Sequence, residues 1–177
     1  MINKDELLFV VDEENKPREA MPRHLVHKKN LLHRTTGIWV INNNKQILCQ
    51  KRSLKKDTKP GFWEAFFGGH LGPTEAYLAN AAQELHEELG IAVVKENLIP
   101  FAVRKSDKAT HKEFQHIFAY RIDTTRTNFA FEKEEIDQLQ WFSLQELTHI
   151  LLETHDPKWV RKPWDKEVLA WLAKEVC

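Results

Sequence analysis

The sequence predicts an α/β protein, a mixed sheet held between helices. Strand-like and helix-like segments interleave along 177 residues without repeats or low-complexity tracts. The composition, 42% hydrophobic, is enough for one sizeable core. A single helix with an apolar stripe and a row of glutamates lies near the middle of the chain. One domain is expected over residues 1–177, with an N-terminal arm over 1–32, a core over 33–150 and a C-terminal helix over 165–176.

Taken in order, Leu7 to Val11 reads as a short strand, Asp12 to Lys16 as a turn and Pro22 to Lys29 as a helical turn. Thr36 to Ile41 and Gln46 to Gln50 are strand-like, and Asn42-Asn43-Asn44 between them argues for a hairpin. Trp63 to Phe67 is a further strand; Ile99 to Arg104, Phe114 to Ile122 and Leu139 to Phe142 follow. Residues 105–113 and 123–134, of mixed charge, read as loops. Ser143 is an N-cap for a helix through Leu152, and Asp165 caps a last helix with Val168, Leu169, Trp171 and Leu172 facing inward.

The informative helix lies between Thr74, a fair N-cap, and Gly90, where a C-cap glycine takes the left-handed conformation at no steric cost. Leu78, Ala81, Ala82, Leu85 and Leu89 form its buried face. Glu84, Glu87 and Glu88 fall at i, i+3 and i+4, so their carboxylates neighbour one another. Like charges so placed repel by roughly 0.2–0.5 kcal/mol per pair on an exposed helix. Clustered hard oxygens suit Mg²⁺ or Mn²⁺ rather than zinc. Glu75 suits the positive end of the helix dipole, and the bare backbone of Gly68-Gly69 offers a carbonyl close to the same glutamates. A solvated acidic face is the competing account of the glutamates alone.

Gly69, Glu75 and Gln83-Glu84-Leu85-His86-Glu87-Glu88-Leu89-Gly90-Ile91 resemble the Nudix box, G-x5-E-x7-R-E-U-x-E-E-x-G-U with U apolar. Every defining position agrees except the arginine, which is Gln83 here. Lys59-Pro60-Gly61-Phe62-Trp63 and the segment from Leu139 to Leu147 extend the resemblance over residues 33–150. It implies an α/β/α sandwich and a metal-dependent hydrolase that cleaves the diphosphate linkage of a nucleoside diphosphate derivative. It further implies that Glu84, Glu87, Glu88 and the Gly69 carbonyl hold the metal, that Glu87 or Glu88 is the base, and that Glu75 supports the loop. An arginine at position 83 would hold Glu87 by a charge-assisted bond; Gln83 donates a hydrogen bond without neutralising it, so slower hydrolysis is expected.

The segment from Lys51 to Lys59 carries five cations against Asp57. Arg52 and Lys56 are candidates to reach a substrate diphosphate, the alternative being a solvated loop. Phe62 and Trp63 are candidates to stack on a base, with core packing as the alternative. His27, His33, His70, His111 and Glu113 resemble the metal-binding positions of isopentenyl-diphosphate isomerase, a relative of the same fold, and raise a second metal site, the favoured alternative being scattered surface or core histidines. The isomerase needs a cysteine where this chain has Gly68, and glycine cannot protonate anything, which argues against isomerisation. A Nudix-fold module that binds a nucleotide without cleaving it is a third possibility.

With 26 basic and 26 acidic residues, the net charge is zero, so no general attraction to nucleic acid or to a membrane is expected. Cys49 and Cys177 form neither a zinc pattern nor a disulfide framework, and residues 1–6 do not resemble a secretory signal; a cytoplasmic protein is expected. The expected partner is a small-molecule diphosphate substrate, and the N-terminal arm offers an edge for a homodimer. No motif selects a base or a sugar.

Overall fold

Continuous apolar runs, Ile38 to Ile41 and Ile117 to Tyr120, set the two central strands, because successive side chains of a strand point to opposite faces of its sheet and both faces are covered. The computed structural model describes residues 6–56, 58–109, 111–125, 127–154 and 156–176; Cys177, Asp57 and residues 1–5 of the N-terminal segment lie outside them. The elements are β1 (Leu7–Val11), β2 (Pro17–Pro22), α1 (Arg23–Lys28), β3 (His33–Asn42), β4 (Gln46–Arg52), β5 (Trp63–Glu64), α2 (Tyr77–Leu89), β6 (Ile99–Lys108), β7 (His111–Ile122), β8 (Ile136–Ser143), α3 (Leu144–Thr148) and α4 (Asp165–Trp171).

The eight strands form one mixed sheet. β3 runs parallel to β7 along its whole length, from His33 beside Glu113 to Asn42 beside Ile122. It also meets β1 at Val10 and β4 at Ile47, both antiparallel. β4 continues the sheet through β8 and β5, and β6 pairs antiparallel with β7. Ile38, Val40 and Phe118 pack with Ala81, Leu85 and Leu89 of α2. Their neighbours Trp39, Ile41, Ile117 and Ala119 pack on the opposite face with Leu147 of α3 and Val168 and Leu169 of α4. Helices therefore cover both faces of the sheet, the α/β/α sandwich expected.

Several local expectations are corrected. The first turn of α2 starts at Tyr77 with Ala76 as N-cap, and Thr74 instead takes φ 70° in the preceding turn. Leu78 is exposed; the first turn meets the sheet through buried Asn80, which accepts a hydrogen bond from Thr36 Oγ1 at 2.7 Å and donates to the His70 carbonyl at 3.0 Å. Residues 105–108 and 111–113, expected in a loop, are the facing ends of β6 and β7. Lys112 lies opposite Asp107 and meets it at 2.8 Å, and charge alone concealed the strands. The strand expected over Trp63 to Phe67 shortens to β5, after which the chain touches β3 only at isolated bridges such as Phe67 to Ile38. Asp165 is the first residue of α4 rather than its cap, and its carboxylate accepts from the Lys162 backbone N–H at 2.8 Å.

Ser143 caps α3 as expected, in a reciprocal box with Glu146. Gly90 ends α2 at φ 68°, and its N–H donates to the His86 carbonyl at 2.8 Å. Among the described residues, no helix is long and apolar enough to cross a membrane. Because Asn80 ties α2 to both β3 and the loop at His70, Asn80→Ala should destabilise the protein by about 1–3 kcal/mol in urea unfolding, leaving Thr36 and the His70 carbonyl without their partner.

Candidate active site

The chain from Phe67 to Leu71 crosses the end of β3 in extended form and is pinned there by backbone bonds. Thr36 N–H donates to the Gly69 carbonyl at 2.9 Å, and Ile38 exchanges bonds with Phe67 at 2.7 and 2.9 Å. Gly68 holds φ 128°, and a Cβ on it would lie 2.5 Å from the Thr36 carbonyl oxygen, so no other residue fits without moving the backbone. A Cβ on Gly69 would lie 2.3 Å from Glu84 Oε1. These two glycines let the loop lie directly on the carboxylates of α2.

Glu88 lies one turn beyond Glu84, and its Oε2 accepts the Gly68 N–H at 2.9 Å. Burial pushes the Glu84 carboxyl well above its ordinary range, and the Glu88 and Glu87 charges push it further. Burial likewise raises Glu88 to about 8 against the help of the Gly68 N–H, with Glu64 and Glu135 raising it and Lys56 lowering it. Two partly buried acids that resist ionisation together form a place prepared for positive charge. Glu87 points elsewhere: it is exposed, and Gln83 Nε2 donates to its Oε1 at 2.7 Å. The three glutamates expected on one face thus divide into an inward pair and an outward third. The Gly69 carbonyl, expected as a ligand, accepts from Thr36 and retains its second lone pair.

Glu75 accepts from Gly72 N–H at 2.9 Å and from Asn80 Nδ2 at 3.1 Å, so it fastens the loop to α2; it precedes the helix, which starts at Tyr77, instead of lying in its first turn as expected. Arg52 and Lys56 border the site, each engaged by an acid. Arg52 Nη1 meets Glu64 at 2.9 Å while its Nε reaches the Thr58 carbonyl at 3.2 Å, and Lys56 pairs with Glu135. Sequence reasoning missed Glu64 and Glu135, whose only signal was that a basic segment beside a carboxylate site needs counter-charges. Trp63 is spent on packing: its ring stacks on Trp159 at 5.7 Å and meets Phe142 edge-on at 5.8 Å.

The histidines converge on the far side of the same loop. His27 comes from α1, His33 opens β3, His70 follows the glycine pair and His111 opens β7. Ring nitrogens of His27, His33 and His70 lie within 4.8 Å of one another, and the His33 and His111 ring centroids are 5.2 Å apart. Burial lowers His33 to about 4 and holds His70 well below its ordinary value, so both rings are neutral at pH 7. His33 Nδ1 donates to the Leu31 carbonyl at 2.9 Å, which leaves its Nε2 a bare lone pair, buried and without a partner among the described residues. Glu113 stands beside them, receiving Thr35 Oγ1 at 2.9 Å and His111 Nε2 at 3.3 Å.

The raised Glu88 sets a pH dependence whose sign is fixed. A folded-state value of about 8, above the ordinary 4.5 of a glutamate, stabilises the metal-free fold fully below pH 4.5, and that contribution disappears as pH rises through 8. Between pH 5 and 8 the metal-free protein should therefore lose thermal stability more steeply than its Glu88→Gln variant, as followed by circular dichroism.

A family model described as NUDIX domain matches residues 31–172. Nudix hydrolase 3 of Arabidopsis thaliana is 30% identical over 155 residues, covering 82% of this chain; the chain spans only 20% of that relative's length. Isopentenyl-diphosphate Delta-isomerase 2 of Photorhabdus laumondii is 27% identical over 171 residues, covering 96% of this chain and 93% of the relative. Among solved structures, a Deinococcus radiodurans protein superposes with a TM-score of 0.73 at 19% identity, covering 93% of this chain and 98% of that one. Box residues, fold and relatives agree: the chain belongs to the Nudix family.

Proposed function

We propose that the protein is a divalent-metal-dependent hydrolase of a diphosphate linkage in a nucleotide or nucleoside diphosphate derivative. The observation that carries this is the inward pair, Glu84 and Glu88, pressed on the glycine loop with their ionisation suppressed. The donor set fits Mg²⁺ or Mn²⁺: Glu84, Glu88 and the free lone pair of the Gly69 carbonyl, with Glu87 joining by a rotation of its side chain, are all hard oxygens. Bound there, such an ion supplies charge stabilisation at the diphosphate oxygens and lowers the pKa of water.

The remaining work falls to side chains. Glu87, being solvent-exposed, can accept a proton from the attacking water, and the Gln83 amide orients it while adding no positive charge. Arg52 and Lys56 reach the substrate by exchanging their present acid partners for phosphate oxygens, the guanidinium in a fork and the ammonium as a point charge. Glu64 and Glu135 hold both cations in place until then. The histidine cluster forms a second metal site of different chemistry, favoured by the bare, buried His33 Nε2.

Two observations weigh against isomerisation despite the isomerase-named relative. Gly68 stands where that chemistry needs a thiol, and its φ and the close Thr36 carbonyl leave no room for one. Gly68→Cys should therefore cost about 1–3 kcal/mol of stability and give no conversion of isopentenyl diphosphate to its allylic isomer. The hydrolase reading is tested by incubating the protein and Mg²⁺ with nucleoside triphosphates, nucleotide sugars and dinucleotides. Phosphate or nucleoside monophosphate should appear and should fall at least about 100-fold in Glu88→Gln. Binding without product would favour a non-catalytic module. Gln83→Arg should raise turnover about threefold or more by adding a charge-assisted bond to Glu87; unchanged turnover with intact folding removes that account of the box departure.

A further inference from the structure

Glu113 stands beside the histidine cluster with both of its oxygens engaged. Oε2 receives Thr35 and His111, and Oε1 is held by the Lys162 ammonium. The pair is deeply placed, with 15% of the Lys162 side chain and 3% of the Glu113 side chain exposed. Removing one partner of such a pair leaves the other charged and unsatisfied in a poor solvent, which is strongly unfavourable.

Lys162 is delivered there by a rigid segment. The preceding residue, Arg161, donates to the carbonyls of Ile150, Leu151, Thr154, Asp156 and Trp159, tying the chain to the end of the helix that continues α3. The Lys162 backbone N–H is bound by Asp165 at 2.8 Å. Its ammonium lies 5.5 Å from the Phe66 ring and 5.6 Å from the Trp164 ring, attractive placements for a cation. Nothing in this arrangement favours the ammonium leaving Glu113.

We infer that Lys162 withholds Glu113 from the histidine cluster and so makes the cluster a nitrogen-only site, selective for Zn²⁺ or Co²⁺ over Mn²⁺ and Mg²⁺. The inference rests on the second metal site proposed above. The imidazoles of His27, His33 and His70, whose ring nitrogens converge and of which His27 Nε2 and His70 Nε2 lie 3.1 Å apart, suit borderline ions, whereas Mn²⁺ and Mg²⁺ need oxygen ligands. Lys162 thus occupies the charge that a hard cation would otherwise place beside Glu113. Two metal centres of opposite preference then sit on the two sides of one glycine loop, and a single lysine keeps them distinct.

The test uses the full chain carrying Glu84→Gln and Glu88→Gln, so that the carboxylate centre does not contribute. Co²⁺ is titrated by its visible d–d absorption, and Mn²⁺ by the loss of its free-ion paramagnetic resonance signal. The parent should bind Co²⁺ at least about 30-fold more tightly than Mn²⁺. Lys162→Met, which keeps the aliphatic stem and removes the charge, should raise Mn²⁺ affinity about tenfold or more and weaken the Co²⁺ absorption as a carboxylate joins the ion. Lys162→Arg should behave as the parent. Glu113→Gln in the presence of Lys162 should leave Co²⁺ affinity within about twofold, and this holds the proposal to account if Lys162→Met fails to fold. Unchanged Mn²⁺ affinity in a folded Lys162→Met, or loss of Co²⁺ binding in Glu113→Gln, would overturn the role of Lys162. Absence of Co²⁺ binding in the parent would overturn the histidine site itself and this role with it.

Discussion

Two carboxylates of α2 meet two glycines of the loop before it, and the placement of the rest of the site follows from that contact. Glu84 lies where a Gly69 side chain would be, and Glu88 takes the Gly68 N–H. The loop can approach this closely only because neither glycine has a Cβ and because Gly68 accepts a φ that other residues avoid. Glu75 and Asn80 tie the loop to the first turn of α2, and Thr36 ties it to β3. Two acids are thereby held together in a partly buried place where both being charged is unfavourable without a cation.

The same loop separates two groups of side chains with cation-binding atoms. On one side stand acids with oxygens to offer; on the other, imidazoles from three separate elements together with His70 of the loop itself. The parallel pairing of β3 with β7 aligns His33 with Glu113 and brings His111 within ring distance. Each group has its own counter-charges: Lys56 lowers the Glu88 proton affinity in the first, and Lys162 holds Glu113 beside the second. The ion pairs here act less as sources of stability than as devices that fix which group is free to bind what.

Much of this was legible in the sequence because it is local. Apolar runs bounded by turn residues marked the strands, helical spacing of apolar residues marked α2, the spacing of Glu84, Glu87 and Glu88 marked the acidic cluster, and Gly90 and Ser143 marked helix ends by their turn and capping chemistry. Errors arose where a tertiary contact overrode a local rule. Leu78 fits the apolar stripe, but the sheet at that point is polar at Thr36, so Asn80 is buried instead. The charged run over 105–113 looked like a loop because its partners are across a hairpin and not along the chain. Glu64, Glu135 and Lys162 were invisible for the same reason: each meets its partner from a distant segment, and spacing carries no trace of that.

The central claim is that Glu84 and Glu88 share a place built for a divalent ion, with Glu88 largely protonated near neutrality until the ion arrives. Calorimetric titration of Mg²⁺ at pH 7, in two buffers of different ionisation enthalpy, measures binding and proton release together. The account predicts binding with release of about one proton, and loss of both in Glu88→Gln. Binding without proton release, or binding undiminished in Glu88→Gln, would contradict it.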